Sequence, residues 1–211
     1  MSVVRAAAMS VLLRSLNSEL AQLAARAQRS LVHVTGGRSS GGAGVVLHPD
    51  GLILTNAHVV RRRKLWVTLE DGRRLAARRL AFDADYDLAA LSVEAADLPS
   101  MPMGDSRELR AGDWVMALGH PWGVRGAATA GVVIDVGVPP EMTRMRRELV
   151  QVGLHLRPGH SGGPLLDRSG DLVGVSTMMA GPNVGLAVPV HVAKRFLRRE
   201  LGSSFSAVAN V

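Results

Sequence analysis

Residues able to turn a serine hydroxyl into a nucleophile occur along this chain in the order histidine, aspartate, serine. They are His58, then Asp83, Asp85 and Asp87, then Ser161 within Gly159-His160-Ser161-Gly162-Gly163-Pro164. A serine hydroxyl is weakly nucleophilic at neutral pH, so a neighbouring imidazole must take its proton as the new bond forms, and a carboxylate must hold the imidazole in the useful tautomer. The letters around Ser161 also fit G-x-S-x-G, the strand-turn-helix elbow of α/β-hydrolases. That elbow needs a helix directly after the serine, with the acid and the histidine following it. Here Pro164 leads into LLDRSGDLVGV, a hairpin pattern, and too little chain remains beyond Ser161 for the rest of such a fold. The remaining arrangement takes histidine and acid from an earlier part of the molecule and serine from a later one. Taken singly, each residue has a commoner structural role: an isolated histidine is usually a satisfied or exposed imidazole, an aspartate a turn or cap, and SGGP a loop.

Groups like these need a rigid frame. Between Leu31 and Pro189 the apolar runs are short, often rich in Val, and bounded by Gly, Pro or Asp: LVHVTGG, GAGVVLHPDG, LILT, KLWVTLEDG, RLAARRLAF and LAALSV, then DWVMALG, AATAGVVIDVG, LVQVGLH, DLVGVSTMM and VGLAVP. Turn signals at Pro49-Asp50-Gly51, Asp71-Gly72 and Arg168-Ser169-Gly170-Asp171 separate them. Many short strands at this spacing predict sandwiches or barrels. The stretch LPSMPMGDSRELRAGD, Leu98 to Asp113, has few periodic apolar positions and divides the strands into two groups, so it reads as the connection between two β-barrels. The first barrel is expected over about 31–98 and the second over about 109–189. Residues 1–30 read as a helical lead-in, in which NSELAQLAARAQRS opens with capping residues and sets Leu20, Leu23, Ala24 and Ala27 on one face. The main domain is 31–211, with a helix predicted over about 189–201 whose Val190, Val192, Phe196 and Leu197 suit packing on a barrel.

Composition excludes several classes of function. With 211 residues, 47% of them hydrophobic, the chain can bury a sizeable core. The absence of cysteine removes disulfides, thiolate metal sites and a cysteine nucleophile together. No histidine pair has metal-ligand spacing, so neither a metal nor a cofactor is expected. The net charge of +7 rests mainly on arginines, in RRRK at 61–64, Arg73-Arg74, Arg78-Arg79, RMRR at 144–147 and Arg198-Arg199. Such pairs usually sit in solvated turns. With three Phe, one Tyr and three Trp, the stacking residues of a single-strand binder are scarce and no specific nucleic-acid partner is expected. The run AAAMSVLL between Arg5 and Arg14 is short for a signal sequence and lacks a small-residue cleavage site, so it reads as an amphipathic helix. No apolar stretch is long enough to span a bilayer, and contact with a membrane surface has only the arginine pairs behind it.

Taken together, GAGVVLHPDGLILTNAHVV (42–60), DYDLAALSV (85–93), LRAGDWVMALGHPWG (109–123), TAGVVIDVG (129–137), PGHSGGPLLD (158–167) and GLAVP (185–189) make the chain resemble the HtrA/Deg group of trypsin-like serine proteases. The resemblance covers nearly everything after residue 30. It implies an all-β, two-barrel trypsin-like (chymotrypsin) fold with an N-terminal and a C-terminal helix. It also implies an ATP-independent serine endopeptidase that cleaves unfolded or damaged polypeptides by acyl-enzyme formation, in protein quality control and stress response. Among the three aspartates it selects Asp87, which directly precedes the apolar strand. His58 is then the base, Asp87 its orienting partner, Ser161 the nucleophile, and the backbone N–H groups of Gly159 and Ser161 the oxyanion hole. His155 and Leu156, with Thr177 and Met178, take the substrate-binding positions, and an aliphatic P1 residue is expected.

Departures from the family pattern matter as much. His160 stands where the family usually has Asn and where cleavage-activated trypsins have the aspartate that binds the new N-terminus, so a switch of that kind is not expected. Gly153-Leu154-His155-Leu156-Arg157-Pro158-Gly159 replaces the family's Asp-Ala-Ala-Ile-Asn-Pro-Gly. These two changes motivate the alternative of a catalytically impaired pseudoprotease that binds extended peptides. His120 is expected to be a turn residue of the second barrel, and His33, His48 and His191 to be structural or exposed. The family habit of trimers through the N-terminal part implies a homotrimer, and its habitual compartment is the bacterial cell envelope or periplasm, against cytoplasm if the leader is only a helix. The chain is also expected to work without a PDZ domain.

Overall fold

The computed structural model describes residues 2–36, 41–139 and 147–202. Their strands close into two six-stranded barrels in which every pairing is antiparallel. The first joins β1 (Leu31–Thr35), β2 (Gly42–His48), β3 (Leu52–Thr55), β4 (Leu65–Thr68), β5 (Arg74–Asp83) and β6 (Leu88–Val93) in the order β1-β2-β3-β6-β5-β4. The second joins β7 (Trp114–Gly119), β8 (Ala127–Gly137), β9 (Leu149–Val152), β10 (Pro164–Leu166), β11 (Leu172–Met179) and β12 (Gly185–Pro189) in the order β10-β11-β12-β9-β8-β7. Closure removes the exposed edges that short open sheets would present.

Several strands are apolar at every position because both of their faces are buried. In β6, Ala89, Leu91 and Val93 point into the first barrel with Val32, Ile53 and Val67, while Leu88 and Ala90 join a second cluster between the barrels. The same period of two splits β7: Val115 and Ala117 fill the second barrel, and Met116 and Leu118 enter the seam. Three apolar clusters thus fix the frame, one inside each barrel and one between them. The turns fall where their residues direct. Gly51 has φ +87°, and a Cβ there would lie 2.3 Å from Val93 O, so the turn after β2 requires glycine.

The connection from Leu98 to Asp113 carries no strand, only a parallel bridge from Met103 to Leu172. It is locked to the C-terminal helix α2 (Val190–Leu201) by Lys194 Nζ, which donates to Met103 O at 3.3 Å and Gly104 O at 2.8 Å, and by Ser106, hydrogen-bonded to His191 Nδ1 at 2.8 Å. His191 Nε2 lies 3.0 Å from Glu148 Oε2, so this histidine is structural. Val190, Val192, Ala193, Phe196 and Leu197 form the buried face of α2.

The N-terminal helix expected from the sequence is α1 (Ser2–Gln28). Residues 2–16 contain neither glycine nor proline, so nothing interrupts the helix. Periodicity reports only the packed part, where Leu23 and Ala27 are buried. The amphipathic reading of the first half is corrected: Val11, Leu12 and Leu13 are consecutive, which spreads apolar side chains round the helix instead of along one face, and with Met9 and Leu16 they are all more than half exposed. Among the described residues no helix is long and apolar enough to cross a membrane.

Leu54, fully buried in the seam one strand-end away from His58, tests this frame. Leu54→Ala should lower the free energy of unfolding by about 3 kcal/mol, measured from the urea midpoint at constant slope; a loss below about 1 kcal/mol would show that the seam is not tightly packed.

Candidate active site

The first barrel brings two of the candidate residues into contact. His58 sits in a single 3-10 turn, Ala57–Val60, directly after β3, and Asp87 occupies the turn before β6. β3 and β6 are paired, with Thr55 opposite Ala89, which brings the two loops side by side. His58 Nδ1 lies 2.8 Å from Asp87 Oδ2 and 3.0 Å from Oδ1, and the His58 backbone N–H donates to Oδ1 at 3.0 Å. With Nδ1 facing the carboxylate, Nε2 is the nitrogen left to act as a base.

Asp87 is held in a conformation that it would not choose freely. Its φ is +54°, a left-handed backbone that costs a non-glycine residue about 1–2 kcal/mol. Asn56, fully buried, offsets this by donating from Nδ2 to Asp87 O at 2.9 Å. Burial would raise the Asp87 pKa, but the hydrogen bonds from His58 and Thr177 outweigh it and hold the carboxyl below its usual value. Asp83 and Asp85 do other work. Asp83 accepts from the backbone N–H groups of Asp85 and Tyr86 and pairs with Arg199 at 2.6 Å, and Asp85 O accepts from Arg147 at 2.7 Å.

The second barrel supplies Ser161. Its loop is pinned on both sides: Ser161 O accepts from Ala43 N of the first barrel at 2.7 Å, and Gly162 N donates to Ser176 O at 2.8 Å. Thr177 completes the link between barrels, its hydroxyl donating to Asp87 Oδ2 at 2.6 Å while its carbonyl accepts from Ser161 Oγ at 3.0 Å. Among the described residues no hydrogen bond joins Ser161 Oγ to His58. Thr177 therefore sits with the His58–Asp87 pair as well as beside the cleft. The sequence offers no signal for Asn56 or for this role of Thr177 beyond their being polar residues in apolar surroundings.

The loop before Ser161 is shaped by close approaches. Gly159 has φ +107°, and a Cβ there would stand 2.4 Å from His120 O, so only glycine fits. Its carbonyl accepts from His120 N at 2.9 Å, and neither Gly159 N–H nor Ser161 N–H donates to a carbonyl among the described residues. Leu156 is buried, its N–H on Met179 Sδ at 3.2 Å. His155 is exposed, 3.4 Å from Asn183 Oδ1, and Met178 is half-buried.

Three histidines stand behind this loop as neutral groups. His160 is 2% exposed, its Nδ1 3.2 Å from both N and O of Arg157 and its Nε2 buried without a partner among the described residues; burial lowers its pKa against the opposing hydrogen bond to the Arg157 backbone. His120 accepts from Gly126 N at 3.2 Å and meets His33 edge-on; burial, then His33, lowers its pKa to about 4. Burial and Arg125 lower that of His33 as well. As expected, His120 is a turn residue, preceding the 3-10 turn Pro121–Gly123. No group of side chains able to hold a metal occurs among the described residues.

A histidine kept neutral by folding binds protons more readily when unfolded, so these three weaken the fold as pH falls below their ordinary value. For His120 the window runs from about 6.5 down to about 4. The free energy of unfolding should fall on acidification across that window, and His120→Asn should flatten the fall by up to about 3 kcal/mol. Identical slopes in parent and variant, from urea titrations at a series of pH values, would contradict this.

A protein-family model described as a trypsin-like peptidase domain matches residues 42–175. A probable periplasmic DegP-like serine endoprotease of Halomonas elongata is 36% identical over 170 residues, covering 74% of this chain and 34% of that protein. Human serine protease HTRA4 is 37% identical over 161 residues, covering 74% and 34%. The chain thus spans about a third of the length of the curated relatives that it matches. Among solved structures, an HtrA-type protease AlgW with a tripeptide superposes with a TM-score of 0.80 at 30% identity, covering 87% of this chain and 64% of that one.

Proposed function

The chain belongs to the trypsin-like peptidase family, with HtrA- and DegP-type serine proteases as its relatives, and from that membership we propose that it is an ATP-independent serine endopeptidase acting on unfolded or damaged polypeptides. The observation that carries the reading is the cross-barrel array in which Thr177 joins the His58–Asp87 pair to Ser161.

In this mechanism Ser161 Oγ leaves Thr177 O, turns to His58 Nε2, and attacks the scissile carbonyl while its proton passes to Nε2. The carbonyl oxygen becomes an oxyanion held by the N–H groups of Gly159 and Ser161, each worth about 3–4 kcal/mol of barrier. Asp87 steadies the imidazolium, which hands its proton to the departing amine as the C–N bond breaks. Water, activated by the same histidine, then releases the acyl group. Leu156 and its aliphatic surroundings favour an aliphatic residue on the acyl side. Relatives named periplasmic make the cell envelope the compartment to test first. Self-association through the exposed apolar residues of α1 belongs to the same proposal.

One observation favours a second reading, that of a peptide-binding pseudoprotease: Ser161 Oγ is bonded to Thr177 O and not to His58. A fluorophosphonate probe separates the two. The endopeptidase reading expects labelling that disappears in Ser161→Ala, together with digestion of unfolded casein after aliphatic residues. Absence of both in a folded protein would overturn the endopeptidase reading and favour the binding one, and cleavage mainly after acidic or basic residues would overturn the aliphatic pocket.

A further inference from the structure

The proton that His58 returns goes to the departing amine, so the leaving half of a substrate must pass on the His58 side of Ser161. The acyl half lies on the other side, toward Thr177, whose carbonyl holds Ser161 Oγ. The 3-10 turn that carries His58 runs straight into Arg61-Arg62-Arg63-Lys64. Gly42 at the start of β2 and Gly36 just past β1 both pack closely on this stretch. A Cβ on Gly42 would lie 2.6 Å from both Ser161 O and Val59 Cγ2, and one on Gly36 would lie 3.0 Å from Arg62 Cβ. Arg79 Nη1 donates to Val60 O at 3.1 Å and pins the end of the turn, from which all four cations project into solvent. None of the four forms an ion pair with an acidic side chain among the described residues.

Four like charges in succession repel one another, and a surface built only for solubility mixes signs. Here the unmatched charge lies three residues from the base. We propose that Arg61, Arg62, Arg63 and Lys64 select substrates carrying acidic residues C-terminal to the scissile bond, a preference that rests on the endopeptidase reading. Individual contacts across solvent are weak, but several cations facing two or three carboxylates together should raise kcat/KM about 10-fold at low salt. The effect should shrink in high salt, which screens exposed charges.

The test uses two quenched fluorescent peptides with the same aliphatic acyl half. They differ at the second to fourth positions after the scissile bond, Asp-Glu-Asp in one and Asn-Gln-Asn in the other. The acidic peptide should be favoured about 10-fold at low salt and much less in half-molar sodium chloride. In Arg62→Gln/Arg63→Gln the ratio should fall toward one. In Arg195→Gln/Arg198→Gln, which removes the same charge from the exposed face of α2, it should persist. A ratio near one in the parent, with the amide peptide cleaved and Ser161 labelled, overturns the preference and leaves the protease reading intact. Equal loss in both variants overturns it too, because bulk charge then accounts for the effect. Cleavage of neither peptide, without labelling of a folded protein, removes the endopeptidase reading and this preference with it.

Discussion

Thr177 donates its hydroxyl to Asp87 and offers its carbonyl to Ser161, while Ala43 of the first barrel donates its N–H to Ser161 O. The bonds to Asp87 and from Ala43 cross the seam between the two barrels, and the one from Ser161 Oγ, within the second barrel, ties that crossing to the serine. Each involves buried groups, and a buried donor or acceptor left unmade costs about 1–3 kcal/mol. Apolar packing alone tolerates small slips between the barrels; these bonds do not. The polar seam therefore sets where His58 stands relative to Ser161, and the apolar seam around Leu54 and Leu118 supplies most of the adhesion.

His160 shows how this chain solves a problem that a charged residue would solve differently. A carboxylate buried in the same place would need a cation brought to it, since an unpaired buried charge is far costlier than a buried neutral imidazole. Burial keeps His160 neutral, and its Nδ1 is occupied by the backbone of Arg157. Gly119 makes room for it: a Cβ there would come within 2.6 Å of His160 Cα. The loop that presents Gly159 and Ser161 is thus shaped by close backbone approach and a neutral ring, without an ion pair.

Much of this was legible in the sequence, for reasons that differ by element. The two barrels follow from short Val-rich runs and turn residues, because closed sheets demand both. α1 was legible as a helix, and only the amphipathic reading of its first half failed, because the consecutive Val11, Leu12 and Leu13 spread round the helix and stay exposed. Spacing alone left Asp83, Asp85 and Asp87 equivalent. The geometry separates them by partner, since Asp83 faces Arg199 and Asp87 faces His58. Asn56 escaped, and Thr177 was expected only at a substrate-binding position and not as a partner of Asp87, because their side chains each act through one hydrogen bond across the chain, a relation that leaves no local pattern. The cation run at 61–64 was visible in the sequence just beyond His58; left open there was that all four side chains are exposed and form no ion pair among the described residues.

The resting position of Ser161 weighs less against catalysis than it first suggests. Moving a hydroxyl from a carbonyl acceptor to an imidazole exchanges one neutral hydrogen bond for another, each of net worth about 1 kcal/mol. Catalytic hydrogen bonds are often long or misaligned before substrate arrives. The oxyanion donors are the stricter requirement, because a peptide flipped at Gly159 would put a carbonyl where a donor must be, and the barrier would rise by about 3–4 kcal/mol. At Gly159 the carbonyl is committed to His120 N–H, and neither that residue's N–H nor that of Ser161 is spent on another carbonyl among the described residues. The Pro158–Gly159 peptide, which carries the first of those N–H groups and lies in the turn closed by His160 N donating to Arg157 O at 2.9 Å, more than the serine rotamer, therefore decides whether this array can hydrolyse a peptide.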